Sequence, residues 1–176
     1  MYYMHYHTVE DNEEFIVATT RPETMFGDVC VVVNPDDEDN KHLIGKHCIN
    51  PANGKELPII GDTYIEIGFG TGIMKCTPAH DPNDYAIAQR HGLDKPICMN
   101  PDGTMNALCG RYEGMDRYEC REELVKELDK LGVDEIYAVK ADHDITLQDD
   151  AVSAAIAEML KKIEPSAVLV PATPQG

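Results

Sequence analysis

The sequence predicts an α+β fold: a compact, β-barrel-like domain with peripheral helices, followed by a βαβ fragment. Three observations carry this. Short segments rich in β-branched residues recur between Gly- and Pro-containing turns up to Thr77. Two amphipathic helical patterns follow, PNDYAIAQRHG and MDRYECREELVKELDKLG. After Gly132 the texture changes to a strand, an Ala-rich helix and an apolar strand, which is the order of a βαβ unit.

Each element has a local reason. FIVATT (Phe15–Thr20) and VCVVV (Val29–Val33) read as strands, separated by RPETMFGD, whose Pro and Gly mark a loop. NPDDEDNKH is an acidic, turn-rich loop, and Asn53-Gly54 in PANGKELPII signals a hairpin between two short segments. TYIEI (Thr63–Ile67) alternates as a half-buried strand, and IMKCT (Ile73–Thr77) reads as another. In PNDYAIAQRHG, Pro82 suits an early helical position, Asp84 the first turn and Gly92 the stop. NPDGTMN is a Pro-Asp-Gly turn. The second helix has an apolar face of Leu124, Val125, Leu128 and Leu131 and ends at Gly132. No βαβ unit is expected before residue 133, so the domain boundary is placed at 132/133.

Composition excludes several classes. With 43% hydrophobic and 27% charged residues, the 176-residue chain is globular. No apolar run approaches the roughly 20 residues that span a bilayer, and MYYMHYHTVEDNEE lacks a basic region followed by an apolar stretch. A soluble, cytoplasmic chain with no membrane partner is expected. The formal charge is −17, with 12 basic against 24 acidic residues in 1–132 and 3 against 8 in 133–176. Such a surface repels phosphate backbones, so any grip on a nucleic acid must come mostly from elsewhere. Cys30, Cys48, Cys76, Cys98, Cys109 and Cys120 form no CxxC pair and read as reduced, mostly buried thiols. His5 and His7, two apart on a predicted strand, are assigned to the surface rather than to a metal.

The chemistry concentrates in GFGTGIMKCTPAHDPNDY (Gly68–Tyr85). A metal site would draw on His80, Asp81 and Asp84, but HExxH and close Cys pairs are absent, and adjacent side chains on a strand diverge. A phosphate cradle would need glycines opening a helix, whereas Gly68, Gly70 and Gly72 fall between extended segments, where alternate glycines suggest a bulge or close ligand approach. A polar pocket fits better. Lys75 and Thr77 project to one face of a strand, and Asp81 and Asp84 share one side of a helical turn. That cup suits a zwitterionic amino acid carrying a hydroxyl. The plainer alternative is a salt-bridged strand end with an N-cap aspartate.

ATTRPETMFGD (Ala18–Asp28), FGTGIMKCTPAHDPNDY, RHGL, PDGTMN and GMDRYECREELVKEL together resemble, in collinear order over residues 1–132, the editing domain of valyl-tRNA synthetases. Isoleucyl and leucyl relatives carry similar inserted domains; the valyl assignment leans on TTRPET and on Lys75 and Thr77 before PAHD. The resemblance implies hydrolysis of threonine mischarged onto tRNA(Val), without a cofactor or metal. The partners would be the 3′ aminoacyl-adenosine end of tRNA(Val) and the remainder of a synthetase. It also implies residue roles. Asp81, Thr20 and Thr19 are the catalytic candidates: Asp81 binds the α-amino group, while Thr19 and Thr20, with Glu23 and Thr24, line the facing loop near the ester and the attacking water. Lys75, Thr77 and Asp84 surround the threonine hydroxyl, and Phe69 and Arg21 contact the terminal adenosine. His80 is given a structural role.

Residues 133–176, ending VLVPATPQG, resemble part of the N-terminal region of an electron transfer flavoprotein α-subunit. The flavin-binding domain is absent from that resemblance, so no redox activity is expected. Three functions follow from the sequence: an editing hydrolase, a binding module that has lost turnover, or a hybrid whose tail drives self-association.

Overall fold

The structure, a computed structural model, describes residues 1–130. The βαβ unit expected at 133–176, the boundary at 132/133 and the helix stop at Gly132 lie outside the described residues.

Strands β1 (Tyr2–Thr8) and β2 (Glu14–Thr19) form an antiparallel hairpin with Tyr2 opposite Thr19 and His7 opposite Glu14. Each alternates buried and outward residues, so Met4, Tyr6, Phe15 and Val17 enter the core while His5 meets Glu14 on the outside. Strand β3 (Cys30–Val33) is buried at every position. The cause is a layer on each side: Val31 and Val33 join the main core, whereas Cys30 and Val32 pack against Ile87 of helix α1 (Pro82–His91). Strands β4 (His47–Ile49) and β5 (Glu56–Gly61) form the Asn-Gly hairpin, with Gly54 at φ 70°. Strand β6 (Ile73–Cys76) completes the set.

The strand order is β2-β1-β4-β5-β3-β6, and the edge strands β2 and β6 approach each other, so the sheet nearly closes into a barrel. Near-closure protects both edges, which would otherwise expose unpaired backbone groups. Helix α1 is capped as its sequence implies: the Asp81 side chain accepts the Asn83 and Asp84 N–H groups, and Gly92 adopts φ 64° at the other end. Helix α2 (Arg117–Lys130) lies on the 3-10 turn Pro22–Gly27, burying Cys120, Leu124 and Leu128 at four-residue spacing. All six cysteines are free and buried.

Three expectations differ from what is observed, and one pairing had no counterpart in the sequence analysis. RPETMFGD is not an irregular loop but a buried 3-10 turn over Pro22–Gly27. TYIEI is not a strand; Asp62 accepts the Tyr64 N–H at 2.8 Å and Asn34 donates to the Ile65 carbonyl at 2.6 Å, so side chains take the bonds a ladder would use. Gly68, Gly70 and Gly72 accordingly sit in a loop, not in a strand, all at positive φ. Strands β3 and β5 pair in parallel, Val31 opposite Ile59, with β4 rather than a helix in the connection. Short, equally apolar segments carry no signal of direction, so this pairing was invisible locally.

Candidate functional site

Strand register assembles the site. Cys30 pairs with Cys76, and Val29 N–H reaches the Cys76 carbonyl at 3.0 Å. Asp28 lies two residues before β3 and Thr77 directly after β6, so this register brings the Thr77 hydroxyl to Asp28 Oδ1. Gly27 permits the approach, because a Cβ there would stand 3.2 Å from Thr77 Cγ2.

The result is a pocket of about 310 Å³. Its walls include Thr19, Thr20, Arg21, Thr24, Lys75, Thr77, His80, Asp81 and Asp84, so most of the residues singled out from sequence converge on one cavity. At its floor Lys75 is almost fully buried. Its Nζ donates to Thr24 Oγ1 at 2.9 Å, to Asp28 Oδ1 at 3.1 Å and to Thr77 Oγ1 at 2.5 Å, which uses all three ammonium protons. Thr77 Oγ1 donates in turn to Asp28 Oδ1. The Thr77 N–H is bound by Asp84 Oδ2 at 2.7 Å. Burial pushes the Asp84 carboxyl up to about 6 from 3.8, against the Thr77 N–H and the Lys75 charge, and the neighbouring Asp81 and Asp28 charges add to the rise. Burial also raises Asp28, while Lys75 and its hydrogen bonds oppose the shift.

Asp81 sits at the rim. Its Oδ1 caps α1, accepting Asn83 N–H at 2.8 Å and Asp84 N–H at 3.3 Å, so the N-cap role and a pocket position coexist in one residue. Arg21 reaches across to the His80 carbonyl at 2.9 Å and keeps its side chain 43% exposed. His80 Nε2 accepts the Cys98 N–H at 3.1 Å and contacts Cys98 Sγ at 3.2 Å. With Nε2 occupied by a backbone donor, the imidazole is poorly placed to take a proton from water. The Cys98–His80 pair does not make a nucleophile either. The sulfur is fully buried, and its hydrogen bond with the Cys109 thiol and its burial hold it above the ordinary thiol range.

Two sequence candidates lie away from the cavity wall. Glu23 is 1% exposed; Arg121 grips both its carboxylate oxygens at 2.6 and 2.7 Å, and Arg21 Nε lies 3.8 Å from Oε1. Phe69 is 63% exposed on the loop leading into β6. That loop is pinned at its end by Asn40 and Asp37, whose side-chain atoms stand 2.7 and 2.8 Å from where a Gly72 Cβ would be. Gly72→Ala therefore meets both a clash and a φ of +69°. It is expected to cost about 1–3 kcal/mol, read as a lowered Tm together with displaced Phe69 resonances. Among the residues that sequence reasoning missed are Asp28, beneath the floor, and Tyr64, in the wall. Asp28 stands at the end of a quoted motif, but only strand register reveals its neighbours. Tyr64 lines the pocket because its segment turns instead of running as a strand.

Comparison with known proteins places this geometry. Residues 35–117 match the family model described as leucyl-tRNA synthetase, editing domain. The valine–tRNA ligase of Mesoplasma florum is 56% identical over 131 residues, covering 74% of this chain and 15% of the ligase. That of Bacillus cereus is 53% identical over 132 residues, covering 75% and 15%. Over its first three quarters the chain is thus similar to valine–tRNA ligases, and over residues 35–117 to the synthetase editing-domain model. Solved structures agree on the editing-domain fold. The ternary complex of Agrobacterium radiobacter K84 agnB2 LeuRS with tRNA and LeuAMS superposes at a TM-score of 0.59, with 17% identity over 74% of this chain and 19% of that one. GlLeuRS-CP1 gives 0.53 and 16% over 74% and 84%. The chain spans about 15% of the length of the valine–tRNA ligases it matches. Residues 117–176 match the electron transfer flavoprotein domain model, which begins within α2 of the editing domain. Among the described residues no helix is long and apolar enough to cross a membrane.

Proposed function

We propose that the editing domain hydrolyses the ester linking threonine, attached in error, to the 3′ end of tRNA(Val). The observation that carries this reading is the Lys75–Thr77–Asp84 floor, a buried polar cluster at the bottom of a pocket of amino-acid size. Valine and threonine are nearly isosteric, and an apolar synthetic pocket cannot reject an added hydroxyl strongly. Valyl enzymes facing threonine are the standard illustration of that limit, at about 10². A second pocket must therefore demand the hydroxyl, leaving its own buried polar groups unpaired when valine enters.

The residues divide the work as follows. Asp81 Oδ2, which has no partner among the described residues, takes the α-ammonium group while Oδ1 holds the helix. Asp84 accepts from the threonine hydroxyl on the oxygen not used by Thr77. Arg21 and Phe69 meet the terminal adenosine and its phosphate. Thr20, exposed at the rim, and Thr19 orient water for attack on the ester carbon. Water adds, the ester C–O bond breaks, and threonine and the free ribose hydroxyl leave. The division of the chain near 132/133, with a separate βαβ unit after it, is part of the same reading, as are residence in the cytoplasm and delivery of the tRNA end by a larger synthetase.

Initial rates of deacylation of threonyl-tRNA(Val) and valyl-tRNA(Val) test this directly. The 176-residue chain is expected to prefer the threonyl ester by about 10² or more. Equal rates overturn the reading. Tight binding of the threonyl end without turnover favours a non-catalytic module instead.

A further inference from the structure

Following each proton in the pocket floor shows an unexpected uniformity. The three Lys75 protons go to Thr24, Asp28 and Thr77. The Thr77 hydroxyl proton goes to Asp28 Oδ1, and the Thr24 hydroxyl proton goes to the Arg21 carbonyl at 2.9 Å. Asp84 has no proton to give when ionised. Every donor at the floor points away from the cavity, so what remains toward a ligand is acceptors alone. An acceptor-only floor binds a group that can donate, and a methyl group cannot.

The direction of this chain depends on one residue outside the pocket wall. Asp28 is fully enclosed, with Lys75 and Thr77 on Oδ1 and the Tyr6 hydroxyl 3.5 Å from Oδ2. An ionised carboxylate only accepts, and so it forces the Thr77 hydroxyl to donate inward. An amide at the same place would offer donors, and Thr77 would be free to turn its proton into the cavity. We propose that Asp28 is a positioning residue that fixes the hydrogen-bond polarity of the Thr77–Lys75 floor and thereby sets the preference for a hydroxyl-bearing aminoacyl ester. The inference rests on the threonyl-ester reading above.

Two measurements test it. In the unaltered chain, three esters of the same tRNA are compared: threonyl, valyl and 2-amino-3-fluorobutyryl, which matches threonine in size but has no donor. The fluorinated ester is expected to be hydrolysed at the valyl rate; hydrolysis at the threonyl rate overturns the acceptor-only floor. The second is Asp28→Asn, assayed with Thr77→Val and the double variant. Asp28→Asn is expected to lower the threonyl-to-valyl ratio about 10- to 100-fold, through KM of the threonyl ester. The double variant should lose no more than Thr77→Val alone. A folded Asp28→Asn protein that keeps the ratio, or losses that multiply in the double variant, overturns the positioning role. If Asp28→Asn does not fold, the fluorinated ester decides. Failure of the parent reading looks different, because the unaltered chain would then show no threonyl preference at all.

Discussion

Asp84→Ala is expected to slow deacylation of threonyl-tRNA(Val) by about 10- to 100-fold, the value of one hydrogen bond to a charged group, while hydrolysis of the valyl ester stays where it is. The carboxylate has two tasks. One oxygen holds the buried Thr77 N–H, and the other is left for a ligand. Alanine removes both, so Asp84→Asn is the cleaner companion: it preserves an acceptor for Thr77 but brings a donor to the floor. Should Asp84→Ala keep the unaltered threonyl rate, Asp84 does not touch the hydroxyl.

The same carboxyl predicts a pH dependence. Burial holds it at about 6, so between roughly pH 4 and 6 the folded form carries a proton that the unfolded chain, near 3.8, does not. The sign follows from linkage. Where the folded state binds more protons, stability falls as pH rises, so this group opposes folding above about pH 6 and ceases to do so as pH drops toward 4. Recognition runs the other way. Protonation removes the charge that strengthens a bond accepted from the threonine hydroxyl, so the threonyl-to-valyl ratio is expected to fall as pH drops through about 6. A pH–ratio profile shows this, and Asp84→Asn should flatten it.

The second large effect concerns stability. Arg121→Ala strips Glu23 of its bidentate partner and leaves a carboxylate that is 1% exposed between α2 and the Pro22–Gly27 turn. Breaking such a pair by one partner costs about 3 kcal/mol or more, which for a domain of this size lowers Tm by about 10 °C. The turn also carries Thr24, which receives a Lys75 proton, so the loosened variant should lose threonyl specificity as well. Replacing both partners, Glu23→Leu with Arg121→Leu, is expected to recover most of the lost stability, since no charge is then left buried alone. A double variant as unstable as Arg121→Ala would mean that the pair contributes packing rather than electrostatics.

The sequence disclosed some features and hid others for physical reasons. Strands β2 and β3 were legible in FIVATT and VCVVV, and α1 in its Pro82 start and Gly92 stop, because these signals are local. The direction of β5 relative to β3 was not legible, since it is decided by long-range pairing. TYIEI misled through its alternation; two side chains, Asp62 and Asn34, claim its backbone groups, and they lie outside the segment or far from it in the chain. Within the site, Lys75 and Thr77 could be placed on one face from spacing alone, and the facing threonines came from resemblance to a family. Asp28 was hidden because its meaning lies in its neighbours: a carboxylate after a turn looks like a surface residue until register sets it beside Thr77. The Glu23–Arg121 pair was hidden for the same reason, the two residues being almost a hundred positions apart.

Asp81 and Asp84 in the wall and Asp28 beneath it, against Lys75 and Arg21, leave one negative charge in excess whenever Asp84 is ionised. On the threonyl-ester reading proposed above, the residue bound before cleavage is an ammonium ester, a cation, which that field would hold. After cleavage it is a zwitterion whose new carboxylate is formed among those aspartates. Under that reading attraction would turn to repulsion on cleavage without any moving part, and added salt is expected to weaken capture and expulsion together.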